Sequence, residues 1–465
     1  MPRAWANSGV NLHVELSGGR RRVELETALR EAVRSGRLPA GSRLPPTRAL
    51  AADLDVARNT VAAAYAQLVA EGWFEARQGA GTWVARRAAA AAPTPRPLSG
   101  DPRPPRYDLR PGSPDLAAFP RADWLRATQR ALRSAAAEAF GYPDPRGRAE
   151  LRAALAGYLA RARGVDATAE RVIICSGFAQ ALAIVAGALR AHGTSRVAIE
   201  SFAHPGHAAA LTASGLTAVA LGVDDDGARV DDIDEIDGVG AALITPAHQF
   251  PLGPTLAPQR RLAAIEWARG SGGFIIEDDY DGEFRYDRQP IGAMQALAPE
   301  RVVYAGTASK SLAPGLRLGW LVVPPSLAEA ALEAKRLTDG PSTLDQLTMA
   351  EFIGAGTYDR HIRRARLVYR RRRDRLVRAL EHRRPDARIG GAAAGMHVVV
   401  ELPRRMSEKD AVARGLERGV ALEGLGEYRL GEQRRSQALV IGYGTPAEHA
   451  FSTAVARLCA VLSAD

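Results

Sequence analysis

The sequence predicts an N-terminal winged helix-turn-helix, mainly α with a β-hairpin wing, followed by an α/β domain and a smaller α+β domain. Three observations predict this. The first 85 residues read as helix, helix-turn-helix and hairpin. A dense proline run then interrupts all periodicity. Beyond it, apolar runs of strand length alternate with helical stretches, the pattern of an open sheet whose ligand lies at the carboxyl ends of its strands.

The first unit is expected over residues 12–84. Leu25, Leu29 and Val33 form one apolar helical stripe, and Gly36, Pro39 and Gly41 break the chain after it. Thr47 is expected to cap a short helix from Arg48 to Leu54, with a tight turn at Asp55-Val56. A second helix is expected from Ala57 or Asn59 to Glu71, carrying Val61, Tyr65 and Leu68 on one face. Trp73 to Val84 reads as a hairpin with its tip at Gln78-Gly79-Ala80-Gly81. Residues 85–106 form an Ala/Pro/Arg linker, since Pro93, Pro95, Pro97, Pro102, Pro104 and Pro105 exclude regular structure.

Residues 107–341 are expected to form the α/β domain. Its buried strands are Arg171 to Cys175, Val197 to Glu200, Ala241 to Thr245, Phe274 to Glu277, Val302 to Tyr304 and Leu318 to Val323. Residues 342–465 supply the α+β domain: a long Arg-rich helix from Asp359 to Glu381, a strand from Met396 to Glu401 and a final helix.

Composition narrows the function classes. The chain has 465 residues, more than one ordinary core holds, and 46% hydrophobic with 25% charged residues is a globular balance. The net charge of +10 favours an anionic partner, although arginine-rich composition can be a bias of the whole genome. Cys175 and Cys459 have no metal-ligand spacing, so a reduced cytosol is expected and no metal. No apolar run reaches the ~18 residues of a spanning helix, and the first residues lack a signal-peptide core, so no membrane is expected.

In the first unit, the recognition helix would present Ala57, Arg58, Asn59 and Thr60 to a groove of double-stranded DNA. Arg58 suits guanine and Asn59 adenine, Arg48 would face a phosphate, and the glycine at Gly79 allows close backbone approach. The alternative is a solvated basic face on a protein-interaction module. The run Gly41-Ser42-Arg43-Leu44-Pro45-Pro46-Thr47-Arg48, with Val56-Ala57-Arg58-Asn59-Thr60-Val61 and Gly79-Ala80-Gly81-Thr82, resembles the GntR-type winged helix. The resemblance implies DNA contacts from Arg48, Arg58, Asn59, Thr60 and Gly79. Ala57 departs from the family's usual hydroxyl residue.

In the second unit, Lys310 is the key residue. Only three of the 62 basic residues are lysine, and a guanidinium cannot condense with an aldehyde. Lys310 lies in Gly306-Thr307-Ala308-Ser309-Lys310, with Arg317 and Gly319 following, which resembles the lysine motif of fold-type I aminotransferases that bind pyridoxal 5′-phosphate (PLP). The chain offers what this cofactor needs. Lys310 is the amine and sole catalytic candidate. Asp278 would face the pyridine nitrogen, with Glu277 and Asp279 as rival acids, and Tyr280 would bond the ring's 3′ oxygen. Gly177, Phe178 and Ala179 open a helix toward the phosphate, with Thr307, Ser309 and Arg317 adding donors. His204 would stack on the ring. Tyr142 looks like the tyrosine that reaches a neighbouring subunit's phosphate.

Phe119-Pro120 with Trp124, Pro246-Ala247-His248-Gln249-Phe250-Pro251-Leu252-Gly253 and Glu277-Asp278-Asp279-Tyr280-Asp281-Gly282-Glu283-Phe284 extend the likeness to nearly the whole chain. Together they resemble the MocR subfamily, a GntR winged helix joined to an aminotransferase-like domain. The resemblance implies a dimeric, cytoplasmic, PLP-dependent transcription regulator that senses PLP, an amine or an amino acid through Lys310. Two departures stand out. Phe250 replaces the Asn of the aminotransferase Asn-Pro turn, leaving the oxygen contact to Tyr280 with help from Gln249. Leu439 takes the place of the carboxylate-gripping arginine, with Arg434 and Arg435 nearby in sequence. An active aminotransferase with an accessory winged helix is the rival reading, and a PLP-binding scaffold with neither activity a third.

Overall fold

The computed structural model describes residues 20–86, 106–286, 291–385, 388–391, 393–432 and 437–463. The chain divides into two compact units between Arg103 and Pro104. The linker expected at 85–106 lies almost wholly outside the described residues, as do residues 12–19 of the first unit.

The first unit holds helices α1 (Arg21–Arg34), α2 (Thr47–Asp53) and α3 (Arg58–Ala70), then strands β1 (Phe74–Arg77) and β2 (Gly81–Val84). Leu25, Leu29 and Val33 bury the α1 stripe against Val61, Tyr65 and Leu68 of α3. Thr47 is not the cap of α2 but its first residue. Pro46 takes the cap position because its carbonyl accepts from the N–H groups of Ala49 and Leu50, at 2.9 and 3.1 Å. Asp55 turns the chain with φ +49°. The hairpin pairs Phe74 with Val84 and Arg77 with Gly81, and Tyr65 meets Phe74 edge to face at 5.7 Å.

The second unit is built on a seven-stranded sheet. Its strands in chain order are β3 (Val172–Cys175), β4 (Arg196–Glu200), β5 (Thr217–Leu221), β6 (Val239–Ile244), β7 (Phe274–Asp279), β8 (Val302–Thr307) and β9 (Gly319–Val322). Across the sheet the order is β3-β9-β8-β7-β6-β4-β5, and only β9 runs antiparallel to its neighbours. All six strands anticipated from sequence are present with ends shifted by up to three residues, the largest shift at β8, which runs on from Tyr304 to Thr307. The β9 stretch begins one residue later than expected, and β5 was not anticipated. It is an alanine-containing edge strand with one fully buried residue, so its apolar signal is weak.

Helices flank the sheet: α4 (Arg121–Ser134), α5 (Ala149–Arg163), α6 (Phe178–Ala191), α7 (Pro205–Ala213), α8 (Pro258–Ser271) and α9 (Pro325–Arg336). After them come α10 (Thr343–Gly354), the 27-residue α11 (Thr357–Arg383), α12 (Glu408–Glu417) and α13 (Glu448–Leu462). A second sheet joins β10 (Ile389–Gly390), β11 (His397–Glu401) and β12 (Ala438–Gly442). One hydrophobic core runs from Leu151 and Tyr304 to Phe352, Leu376 and Ile441, on both sides of Ser342.

This topology positions the site. The carboxyl ends of β3, β4, β6, β7 and β8 share one edge of the sheet, and antiparallel β9 begins there. Loops after Cys175, Glu200, Ile244, Asp279 and Thr307, and the turn before Gly319, therefore converge on it.

Candidate functional site

A cavity of about 310 Å3 opens at that edge. Among its lining residues are Phe178, Ala179, His204, Asp278, Tyr280, Thr307, Ser309, Lys310 and Arg317, nine of the residues singled out from sequence.

Lys310 sits in the turn after β8, and its Nζ donates to the carbonyl of Gly112. Burial holds this amine below the ordinary lysine range, with Asp281 and then Asp278 opposing that shift. An amine with a lowered pKa is more often the free nucleophile that condenses with an aldehyde.

The run Glu277-Asp278-Asp279 is sorted by strand alternation. Glu277 accepts the backbone N–H groups of Met294 and Gln295, at 2.9 and 3.0 Å. Asp279 accepts from Arg163 at 2.6 and 3.0 Å and from the Tyr304 hydroxyl at 2.7 Å. Asp278 points the other way, into the cavity, and its buried Oδ1 has no hydrogen-bond partner among the described residues. Burial, then the charge of Asp279, pushes its carboxyl well above the usual carboxylate range. A buried carboxylate oxygen without a donor is costly, and a cationic ring nitrogen would satisfy it.

The anion cradle lies opposite. Gly177 precedes α6 with φ +88°, and a Cβ there would lie 3.3 Å from the Arg317 guanidinium. Glycine thus lets Arg317 reach the helix N-terminus, where its Nη2 donates to the Ser176 carbonyl at 2.5 Å. Arg317 itself has φ +51°, an uncommon conformation for a residue with a side chain. The Thr307 hydroxyl lies 2.9 Å from that of Ser309 and accepts the Ser309 N–H at 3.1 Å. These groups fit a phosphate: a helix terminus, two hydroxyls and a planar bidentate donor.

Two expectations change. Gln249 does not face the cavity. Its Nε2 donates to the carbonyls of Phe202 and Phe250, both at 2.7 Å, and to Glu200 at 3.1 Å, so it is engaged in holding the loop after β6 against β4. Leu439 pairs with Val400 inside the main core, while Val440 lies in the cluster on which Phe250 rests, so the aliphatic residue nearer the cavity is Val440. Tyr142, expected at a neighbouring subunit's phosphate, is fully exposed and does not line its own chain's cavity. Arg434 and Arg435 lie outside the described residues.

Sequence reasoning missed Gly112, His207, Met396 and His397 as lining residues, and the contact network of His248 and Asp281. The signal available for His397 was a polar residue opening a run of three valines in β11. The ligating atoms of His248, Asp281 and His397 lie within 4.8 Å of one another. His248 Nδ1 is already 2.9 Å from Asp281, and His397 Nε2 2.9 Å from the Pro251 carbonyl.

In the first unit, Arg48, Arg58, Asn59 and Gly79 are exposed and Thr60 half-buried. Arg48 is the second residue of α2 and Arg58 opens α3, and neither has a carboxylate partner among the described residues. Gly79, with φ +74°, turns the wing.

A helix-turn-helix with a wing, and a separate cavity built to hold an aldehyde, a cationic ring and a phosphate, define a DNA-binding regulator carrying an aminotransferase-like cofactor domain. The comparisons agree. Residues 21–84 match the bacterial regulatory proteins of the gntR family, and residues 109–436 match aminotransferase class I and II. The chain is 36% identical to the probable rhizopine catabolism regulatory protein MocR of Rhizobium meliloti, over 83% of this chain and 82% of that protein. It is 28% identical to the pyridoxine biosynthesis transcriptional regulator PdxR of Corynebacterium glutamicum, over 95% and 96% of the two chains. The second unit resembles an archaeal alanine:glyoxylate aminotransferase, with TM-score 0.70 and 26% identity, covering 77% of this chain and 90% of that one. The chain belongs to the MocR subfamily of GntR-type regulators, and its cofactor is pyridoxal 5′-phosphate.

Proposed function

We propose that this chain is a cytoplasmic, homodimeric transcription regulator in which the PLP site acts as a sensor rather than as a transaminating centre. The effector is PLP itself, an amine or an amino acid. The observation that carries this is the cation count of the cavity. Among the described lining residues, Arg317 is the only guanidinium, and it stands at the phosphate cradle. With Arg317 on phosphate, no arginine among the described lining residues remains to grip an α-carboxylate, and the residue near Phe250 on β12 is Val440.

When bound, the cofactor supplies an electrophilic aldehyde and an electron-withdrawing ring. Lys310 offers the amine, Asp278 holds the ring-nitrogen proton, and Tyr280 faces the 3′ oxygen. Gly177, Phe178, Ala179, Thr307, Ser309 and Arg317 orient the phosphate, and His204 covers a ring face. Fully exposed Tyr142 is assigned to the partner subunit's phosphate. Arg48, Arg58, Asn59, Thr60 and Gly79 contact DNA. We divide the chain as 12–84, 85–106, 107–341 and 342–465, with the core shared across the last boundary. No helix among the described residues is long and apolar enough to cross a membrane.

The test is a mobility-shift assay on the DNA flanking the chain's own gene, with and without PLP, beside an amino-acid transamination assay. A PLP-dependent change in DNA binding with no measurable turnover is expected. Turnover within the ordinary enzyme range of about 1–10³ s⁻¹, with DNA binding indifferent to PLP, would overturn the reading.

A further inference from the structure

Behind Tyr280 stands a buried pair that the cofactor contacts do not use. His248 Nδ1 lies 2.9 Å from Asp281 Oδ2 and 3.0 Å from the Tyr280 hydroxyl. His248 and Asp281 are both 2% exposed. The His248 ring is stacked with that of Tyr280, 26° between planes, and lies 5.0 Å from the ring of His397.

One nitrogen carries at most one hydrogen, so these two short distances constrain the protons. An ionised carboxylate only accepts. The hydrogen on Nδ1 is therefore aimed at Asp281, and Nδ1 cannot also accept from the phenol. The Tyr280 oxygen then sits beside a donor, and its own hydrogen is divided between Asp281 and the cavity. A Tyr280–Asp281 hydrogen bond is among the interactions at Tyr280, so the imidazole competes with the phenol for that carboxylate, and without the imidazole Asp281 is left to the phenol alone.

We propose that His248 is a positioning residue: by competing with the phenol for Asp281, it favours the orientation in which the Tyr280 hydroxyl hydrogen points into the cavity, toward the cofactor's 3′ oxygen. In aminotransferases an asparagine at the Phe250 position helps hold that oxygen. Phe250 has no donor, so here the task falls on one phenol, and its direction matters more. The inference rests on the reading that Lys310 and Tyr280 face PLP.

A donor to the 3′ oxygen stabilises its anion and weakens the oxygen's hold on the proton shared with the lysine nitrogen. Losing it raises the pH midpoint of the bound cofactor's visible absorbance. The groups facing Lys310 that also influence this midpoint are Asp278 in β7 and Asp281 after it, His204 capping α7 and His207 within it, His397 on β11, and Arg317 before β9.

The experiment is a spectrophotometric pH titration of PLP-loaded full-length protein: parent, His248→Phe, Tyr280→Phe and the double variant. His248→Asn serves as a conservative replacement that keeps a donor. Each single Phe variant should raise the midpoint, and the double variant should match Tyr280→Phe alone, because His248 acts through the phenol. His248→Asn should return the midpoint toward the parent. An unchanged or lowered midpoint in His248→Phe, or shifts that add fully in the double variant, would overturn the proposal. Loss of PLP from His248→Phe and His248→Asn alike would mark a purely structural residue and also overturn it. Parent protein with no PLP-dependent visible band would instead sink the cofactor reading beneath it.

Discussion

Arg163 closes on Asp279 through two bonds of 2.6 and 3.0 Å, with both side chains almost fully buried. Arg163 ends α5 and Asp279 ends β7, so this pair pins the helix to the edge of the sheet where the cavity lies. It also pairs the acid beside Asp278, leaving Asp278 as the acid of the run that faces the cavity. Breaking such a pair leaves an uncompensated buried charge. Arg163→Met should therefore destabilise the protein by about 3–5 kcal/mol, read by denaturant unfolding. A loss below about 1 kcal/mol would show that Asp279 takes up a proton or a new partner at little cost.

Lys310→Ala should abolish the borohydride-reducible PLP adduct seen by mass spectrometry. Lys310→Arg should not restore it, because a guanidinium does not condense with an aldehyde. A covalent adduct persisting in Lys310→Ala would reassign the amine.

Asp278 couples stability to function. Among the described residues its buried Oδ1 meets no donor. Asp278→Asn should stabilise the cofactor-free form by on the order of 1–3 kcal/mol at neutral pH, while weakening PLP binding. Thermal melts with and without PLP separate the two effects. If Asp278→Asn lowered the melting temperature of the cofactor-free form, the orphaned carboxylate would not be a source of strain.

Buried acids set the pH response of the cofactor-free protein. Burial raises Glu200, Glu277 and Glu283 each to about 7 from an ordinary 4.5. A folded state that holds its protons longer than the unfolded state loses stability as pH rises between those values. The contribution of these acids should fall from about pH 4.5 to 7, against a rise up to about pH 6.5 from His207 and His397, which burial lowers to about 3 each. The stability of the parent relative to Glu200→Gln isolates one acid and should fall through the window; melting temperatures of both across the pH series give the answer, and a relative stability that rose with pH would contradict the assignment.

Arg317→Ala should weaken PLP binding by about 1.5–3 kcal/mol, the range for a hydrogen bond to a charged group. Equilibrium titration with PLP measures it. Pyridoxal lacking the phosphate should bind parent and variant alike, which separates loss of a phosphate donor from collapse of the turn.

Arg58→Ala and Arg48→Ala should separate on DNA. Loss of Arg58 should cost about 1–3 kcal/mol and relax specificity at one position per half-site. Loss of Arg48 should weaken all sequences alike and reduce the salt slope by about one per half-site. Mobility shifts across salt, on cognate and scrambled DNA, distinguish them. Parent-like binding by both variants would remove the winged helix as the DNA reader.

The sequence by itself determined the order of parts. Helical stripes at Leu25, Leu29 and Val33, glycines at the wing, strand-length apolar runs and a lone lysine after one of them are local signals. They depend on spacing along the chain and need no knowledge of what lies opposite. Edge strand β5 escaped because its apolar pattern is weak, and Thr47 was misplaced because the preceding proline's carbonyl starts the helix. Tertiary structure decided which way side chains point. Three consecutive acids are equivalent in sequence, and only Arg163, Tyr304 and the N–H groups of Met294 and Gln295 arriving from elsewhere make Asp278 the one left facing the cavity. Gln249 was withdrawn from the site by carbonyls at Phe202 and Phe250, and the His248–Asp281 pair joins residues 33 apart. A buried polar group's role is set by the donors and acceptors around it, and those come from distant segments that only the fold brings together.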